Sequence, residues 1–171
     1  MAHVIVTAVG QDRPGLVDEL TGHLHTGGAN IIESRMVNLR GQFAVIMLLE
    51  LSDAKRLRSS LPEVGAKMGL AISVVEQSAP ATPAKGIPYK LKTYSLDQPG
   101  LVHRISAVLR THGVNIEDLT ARQESAPFAG DPLFTMEMRL TVPASVQVRQ
   151  LRNDLESACE KVNADLDLEP A

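Results

Sequence analysis

The amino-acid sequence predicts an α+β fold in which one βαββαβ unit of about 80 residues occurs twice. Three observations lead to this prediction: a motif that returns at a fixed distance, a proline-rich break between the two copies, and the same order of strand-like and helix-like apolar patterns in each half. Each unit is therefore expected to form a four-stranded antiparallel sheet with two helices on one face.

The repeated motif is Asp-x-Pro-Gly-Leu-Val, which begins at Asp12 and again at Asp97, 85 residues later. The same offset makes ten of the twenty positions from 12 to 31 identical to their counterparts, without a gap. Chance does not readily produce such a match, so we interpret the chain as a duplicated domain. Two units are too few for a repeat solenoid.

The break between the copies is the segment QSAPATPAKGIP at residues 77–88, which contains three prolines and no apolar periodicity. This composition is typical of a semi-extended linker. The predicted organisation is a first domain over residues 1–77, a linker over 78–88 and a second domain over 89–171.

The first unit shows its helix start and its helix core most clearly. Asp12 suits an N-cap and Pro14 suits the first turn of a helix, while Leu16, Leu20 and Leu24 recur at the i+4 spacing of a buried stripe. The predicted elements, in order, are a strand His3–Val9, a helix ending near Thr26, strands Asn30–Leu39 and Phe43–Leu51, a helix capped by Ser52 or Asp53 and split or kinked at Pro62, and a strand Ala71–Val75.

The second unit repeats this order with one difference. Its hairpin between the second and third strands is about six residues longer and contains the segment Gln123–Pro132. The predicted elements are a strand Tyr89–Leu96, a helix from Pro99 to His112, strands Asn115–Arg122 and Leu133–Val142, a helix over Ala144–Val162, and a strand Ala164–Leu168.

The third strands of the two units differ in pattern. Residues 134–142 alternate strictly between apolar and polar, which indicates one wet face, whereas residues 43–49 are apolar on both faces. An antiparallel strand needs two apolar faces only when both are covered. We therefore expect helices to bury one face of the first sheet, and another sheet or another subunit to bury the opposite face.

Composition narrows the class of protein. The chain is 44% apolar but only 3% aromatic, so the core must be aliphatic, and its net charge of −3 with no basic run argues against a nucleic-acid surface. No stretch approaches the ~20 apolar residues that a membrane-spanning helix needs. There is no signal-peptide pattern, and Cys159 has no disulfide partner. Together these features favour a cytoplasmic protein.

Residue types that could support catalysis or metal binding do not form a pattern. His23 and His25 are two apart on a predicted helix, so they point about 200° apart and cannot chelate one metal. Glu117 and Asp118 lie on opposite faces of a strand, and Cys159 is best interpreted as a small buried apolar residue. No phosphate-loop, dinucleotide or nucleophile-elbow motif occurs. We expect no metal, no cofactor and no enzymatic activity.

The motif, the element order and the duplication together resemble the ACT domain, a ferredoxin-like module. A free-standing chain of two such domains, with a longer hairpin in the second, is similar to the glycine cleavage system transcriptional repressor family. The resemblance covers nearly the whole chain. It implies a regulatory protein that binds an amino acid or another small ligand and acts on a protein partner. It also implies a ligand site between two domains, lined by the motif loop and by the start of the second strand.

The candidate site residues follow from this resemblance and from the chemistry of the motif. A helix start suits a carboxylate, Gly15 lets a ligand approach the backbone, and Asn30 offers both a donor and an acceptor. Only the first copy has a cation, Arg13, where the second has Gln98. The full set of candidate ligand-binding residues is Asp12, Arg13, Gly15, Leu16, Asn30 and Ile31, with Asp97, Gln98, Gly100, Leu101, Asn115 and Ile116.

Alternatives remain at this point. Asp-x-Pro-Gly is also simply a good helix start, and Gly-x-Asn a good helix exit, so the motif has a purely structural interpretation. The protein could be an assembly module that dimerises through the apolar sheet face without a ligand, or a small enzyme with an unrecognised site. We expect a homo-oligomer, specifically a homodimer, with no contact to a membrane. We also expect no direct contact to nucleic acid, because residues 1–79 carry 7 basic against 8 acidic residues and residues 80–171 carry 10 against 12.

Overall fold

A computed structural model describes residues 2–77, 85–96, 99–125 and 132–171. The chain divides into two compact units, residues 1–81 and 82–171. Each unit has a hydrophobic core of its own, built from aliphatic side chains with one large aromatic, Phe43, fully buried in the first.

The first unit has the predicted βαββαβ order. Its second strand has the predicted bounds, and the other three are one to three residues longer than the sequence pattern indicates, because strand pairing extends beyond the predicted ends. The elements are β1 (Ala2–Gln11), α1 (Leu16–Thr26), β2 (Asn30–Leu39), β3 (Gln42–Leu51), α2 (Ala54–Met68) and β4 (Leu70–Glu76).

The second unit has the same order of elements. They are β5 (Ile87–Leu96), α3 (Leu101–Thr111), β6 (Asn115–Ser125), β7 (Pro132–Val142), α4 (Val148–Glu160) and β8 (Asp165–Pro170).

Both sheets have the same topology. The strand orders are β2-β3-β1-β4 and β6-β7-β5-β8, and every neighbouring pair is antiparallel. The helices supply buried leucines to one face of their sheet, Leu16, Leu20 and Leu24 in α1 for example. The α+β class, the ferredoxin-like order and the placement of two helices on one face are confirmed.

The helix starts differ from the prediction at the motif itself. Gly15, not Asp12, is the N-cap of α1; it adopts a left-handed φ of 86° and makes no side-chain cap. Asp12 was therefore wrongly predicted as the N-cap. The left-handed conformation of Gly15 changes the chain direction after Pro14. The helix therefore begins at Leu16, and Asp12 lies in the preceding loop. Gly100 repeats this geometry with φ 93°.

The second helix of the first unit starts as predicted and continues where a break was expected. Asp53 caps α2 by accepting a hydrogen bond from the Arg56 backbone N–H at 3.0 Å. Pro62 lies inside the helix, which runs without interruption. Pro62 removes one backbone donor, but Leu57 and Leu61 are buried before it and anchor the helix to the core.

The face of the first sheet opposite the helices, which we call the back face, remains open. Within the described residues of this unit no helix lies over it, and Val9, Ile46 and Val75 are 49%, 49% and 57% exposed. The predicted helix layer is thus confirmed on one face. Cover by another sheet or subunit on the other face stays a prediction.

The segments that join elements and units are only partly described. The longer hairpin extends its strands, since Gln123 pairs with Phe134 and Ser125 with Pro132, and residues 126–131 at its tip lie outside the described residues. Residues 78–84 of the predicted linker also lie outside them, and β5 already begins at Ile87. The linker therefore stays a prediction, two residues shorter at its end.

Candidate functional site

The loop that follows β1 is tied to the β2–β3 hairpin. The Asp12 backbone N–H donates to the Gly41 carbonyl at 2.9 Å, and the Asn38 side-chain amide donates to the Asp12 carboxylate. The Asn38 side-chain oxygen in turn accepts from the Gly41 N–H at 3.0 Å. Asn38 is a site residue that sequence reasoning missed. Its signal, an asparagine three residues before a turn glycine, is common in hairpins.

Arg13 does not stand free as a receptor for a ligand carboxylate. Its guanidinium donates two hydrogen bonds to the Glu19 carboxylate, at 2.6 and 2.7 Å. This pairing lowers the pKa of Glu19 and raises the pKa of Arg13, although both side chains are exposed. A ligand carboxylate would have to displace Glu19, which is one turn along α1.

The glycines and leucines of the motif have clear structural roles. A side chain at Gly15 or Gly100 would meet no close atom, so the positive φ, not crowding, is what requires glycine there. Leu16 and Leu101 are 1% and 2% exposed and belong to the two cores. Only the backbone at these leucines can face a ligand.

The strand starts lie at the opposite end of the unit from the motif loop. Gln11, the last residue of β1, pairs with Gln42, whereas Asn30 pairs with Glu50. Those partners are eight residues apart on β3, or roughly 26 Å at 3.3 Å per residue. The structure therefore does not bring Asn30 and the Asp12 loop together within one unit.

Each strand start carries a β-bulge that the sequence did not reveal. The pairing register shifts between Ile31 and Glu33 in β2, and between Ile116 and Asp118 in β6. Bulges are common beside binding sites because they redirect side chains. In the first unit a concavity of 370 Å³ opens between α1 and this bulge; its lining includes Asp18, Thr21, His25, Asn30 and Ile31.

The second unit differs from the first at both ends. Asp97 and Gln98 lie outside the described residues. Arg104 occupies the position of Glu19, and with His103 and Lys161 it lines a concavity of 440 Å³ beside Gly100. The first helical turn is thus basic in this unit, where the first unit has Asp18 and Glu19.

At the other end of the second unit, Asn115 forms a hydrogen bond to Glu117, the residue in the bulge. The Asn115 amide donates to the Glu117 carboxylate at 2.7 Å. This hydrogen bond, together with one from Thr141, lowers the pKa of Glu117. The amide of Asn115 is therefore engaged in a way that Asn30, followed by apolar residues, is not.

The remaining reactive groups are part of the structural framework. Cys159 lies in the second core, and burial raises the pKa of its thiol to about 11, so it is not a nucleophile at neutral pH. His112 contacts the Asp154 carboxylate at 2.7 Å. Among the described residues no group of His, Cys, Asp or Glu has metal-binding geometry, and no helix there is long and apolar enough to span a membrane.

This fold, with a glycine-led helix start in each unit, defines a tandem ACT-domain protein. The ACT-domain model matches residues 2–75, and the second unit repeats its topology. The first unit belongs to the ACT-domain family.

The most informative full-length relative is the glycine cleavage system transcriptional repressor of Escherichia coli K12. It is 29% identical over 95% of this chain and 86% of its own length. A crystal structure of an unknown protein from Galdieria sulphuraria is 32% identical, with a TM-score of 0.84 over 99% of this chain and 98% of that one. A second crystal structure, provisionally assigned as such a repressor, is 22% identical with a TM-score of 0.70 over 99% and 98%, and supports the fold.

Proposed function

We propose that this protein is a non-catalytic, cytoplasmic regulator that binds an amino acid and acts through a protein partner in the control of glycine cleavage genes. The observation that carries the ligand proposal is the duplicated corner. Both units keep the same glycine-led helix start, with φ of 86° at Gly15 and 93° at Gly100, and both glycines are exposed. The full-length similarity to a repressor supports the regulatory part.

The first corner has groups that match both ends of an amino acid. The N-terminal N–H groups of α1 carry the partial positive charge that favours a carboxylate. Arg13 adds a full positive charge if its bond to Glu19 is exchanged for one to the ligand. The Asp12 carboxylate, held in place by Asn38, supplies the negative group that an ammonium needs.

The complete site requires two ACT units. Because the Asp12 loop and Asn30 are at opposite ends of one unit, a ligand of amino-acid size cannot touch both there. A site that uses both needs the loop of one unit and the strand start of another, in the same chain or in a second copy. Binding would then stabilise one arrangement of units, which a partner can recognise.

Calorimetry of the full chain with glycine, serine and the other amino acids tests the ligand proposal. We expect measurable binding of at least one amino acid. The dissociation constant should rise about tenfold or more in Asp12→Asn and in Asn30→Ala, since each substitution removes a polar contact to a charged ligand. Asp167→Asn, an exposed aspartate on β8 far along the chain from the motif, is the matched control. Absence of heat and of a thermal shift with every amino acid would refute the proposal.

Regulation through a partner is tested separately with DNA. The near balance of basic and acidic residues in each half gives no phosphate-binding surface. We expect no gel retardation of DNA from a glycine cleavage control region by the protein alone, and an amino-acid-dependent change when a DNA-binding regulator is present. Retardation by the purified protein alone would contradict the partner model.

A further inference from the structure

We infer that the back face of the first sheet is the contact surface between two copies of this chain, packed sheet against sheet. The inference does not depend on any ligand. It begins from an aliphatic surface of a kind that proteins seldom leave in water. The half-exposed aliphatic residues of this face are Val9 (49%), Val37 (49%), Leu39 (66%), Ile46 (49%) and Val75 (57%).

These residues share one face because of the pairing register. Ile5 pairs with Leu48 on one side and Val75 on the other, and Val9 pairs with Ala44 and Ala71. Directly paired residues of antiparallel strands point to the same side of the sheet. The row of Val9 is therefore apolar on all four strands, while the row of Ile5 is apolar on three and has Glu33 on the edge strand β2.

The back face of the second sheet is charged where the back face of the first sheet is aliphatic. The rows of the second back face that match those of Ile5 and Ile46 are charged: Lys90 pairs with Arg139 and Glu169, and Lys92 with Glu137 and Asp167. The Lys92 ammonium is 3.2 Å from the Glu137 carboxylate. Because the two folds have the same topology, the aliphatic character of the first back face is not a requirement of the fold.

The occupant is a second copy, because of area and charge. Four strands about 4.8 Å apart and about 30 Å long present roughly 600 Å² before side-chain relief is counted, close to the ~800 Å² per partner of a stable interface. The second back face is a poor occupant, since two of its rows hold seven charged side chains, whose burial against aliphatic residues would cost several kcal/mol per ion in principle. The matching rows of the first back face hold two, Glu33 and Arg35, both on the edge strand β2. The same face of another copy offers matching aliphatic area.

The shape of the back face of the first sheet also favours contact with a second copy. At one end Leu39 projects, 66% exposed. Towards the other end lies a hollow of 320 Å³ lined by Ile5, Ile46 and Leu48, with Glu33 and Arg35 also in its wall. A two-fold axis in the interface and perpendicular to the strands brings the end of each copy that carries Leu39 against the end of the other that carries the hollow.

Sedimentation of the full chain at micromolar concentrations tests the inference. We expect a dimer of twice the 18.4 kDa chain mass. Leu39→Asp and Ile46→Glu should each raise the dimer dissociation constant roughly 30-fold or more, as interface anchors do. Leu96→Asp, the same change at a leucine 57% exposed on the other back face, should leave it unchanged.

The alternatives give distinct results. Circular dichroism checks that the variants remain folded, and Val75→Lys on the outer strand replaces any variant that does not. A monomeric wild type overturns the inference, as does a dimer that Leu39→Asp, Ile46→Glu and Val75→Lys leave intact. Equal dissociation by Leu96→Asp also overturns it, because the contact would then involve the other sheet. Amino-acid binding by a monomeric wild type would separate this failure from the proposed function.

Discussion

The two back faces differ far more than the two cores. At the positions of Ile46 and Leu48 the second unit has Glu137 and Arg139, yet both pairs sit at the same places in the sheet register. On the helix side the replacements are conservative, such as Leu20 by Ile105, and both are buried. The comparison shows that the fold constrains the face under the helices, while the opposite face can be aliphatic or charged in the same topology.

The largest expected effect is destabilisation by a core substitution, which tests whether the two cores unfold independently. Leu20→Ala and Ile105→Ala each remove a fully buried branched side chain, so each should lower the free energy of unfolding of its own unit by about 2–5 kcal/mol. Hydrogen exchange resolved by segment measures this. Equal loss of protection in both units after one substitution would show that the cores are coupled.

The next effect is a pH dependence of stability that we expect in the second unit and not at the matching position of the first. Burial raises the pKa of the Cys159 thiol from 9.0 to about 11, and the corresponding helix position in the first unit is Gly65, which has nothing to ionise. Between pH 9 and 11 the unfolded chain loses the thiol proton and the folded chain keeps it, so stability falls as pH rises, by up to roughly 3 kcal/mol.

Denaturant titrations of wild type and Cys159→Ala at pH 8 and pH 10.5 check this prediction. The variant should lose some stability at pH 8 through its smaller side chain, and the difference between the two proteins should shrink at the higher pH. The tyrosines and lysines titrate in both proteins and cancel. A difference that is constant with pH would mean that the thiol ionises freely in the folded protein.

A smaller effect concerns the loop at the first corner. Asn38→Ala removes the hydrogen bonds that link Asp12 and Gly41 to the hairpin, and should destabilise the first unit by about 1 kcal/mol because the groups are exposed. Asn38→Asp keeps the acceptor for Gly41 but sets a carboxylate against Asp12. Urea denaturation should therefore find it less stable than the alanine variant at pH 7, and the order should reverse near pH 3.

The smallest effect is the ion pair on the charged back face. A double-mutant cycle with Lys92→Met and Glu137→Gln should give a small favourable coupling that weakens in high salt, since both side chains are exposed. The matched cycle in the first unit uses Thr7 and Ile46, which occupy the same two places and should show no salt-dependent coupling. A salt-independent coupling in the second unit would rule out a screened ion pair.

Most of the fold could be predicted because its signals are local. The i+4 leucines of α1, the alternation in β7 and the cap at Asp53 each lie within one element, and the structure confirms them. The charged back face of the second sheet was visible in the alternating residues of β7. Such patterns depend on neighbours in sequence, so a single chain is enough to read them.

The details of the candidate site were harder to predict because they depend on distant partners. Asp12 is bound by Asn38, 26 residues away, so its local pattern indicated an N-cap instead. Arg13 and Glu19 meet only because the left-handed turn at Gly15 brings the loop back over the helix. The bulge after Ile31 was hidden because Ile31 and Ile32 are both apolar, so the local pattern does not show which of them is the extra residue.

The bulge in the second strand also indicates the order of two changes, the duplication of the domain and the lengthening of one hairpin. It occurs in both units at positions 85 residues apart, so the ancestral single domain already contained it when its gene was copied. The longer second hairpin lies beyond it, where the spacing of equivalent residues grows to 91, as for Phe43 and Phe134. The simplest history is an old irregularity that both descendants inherited, followed by a length change in one of them.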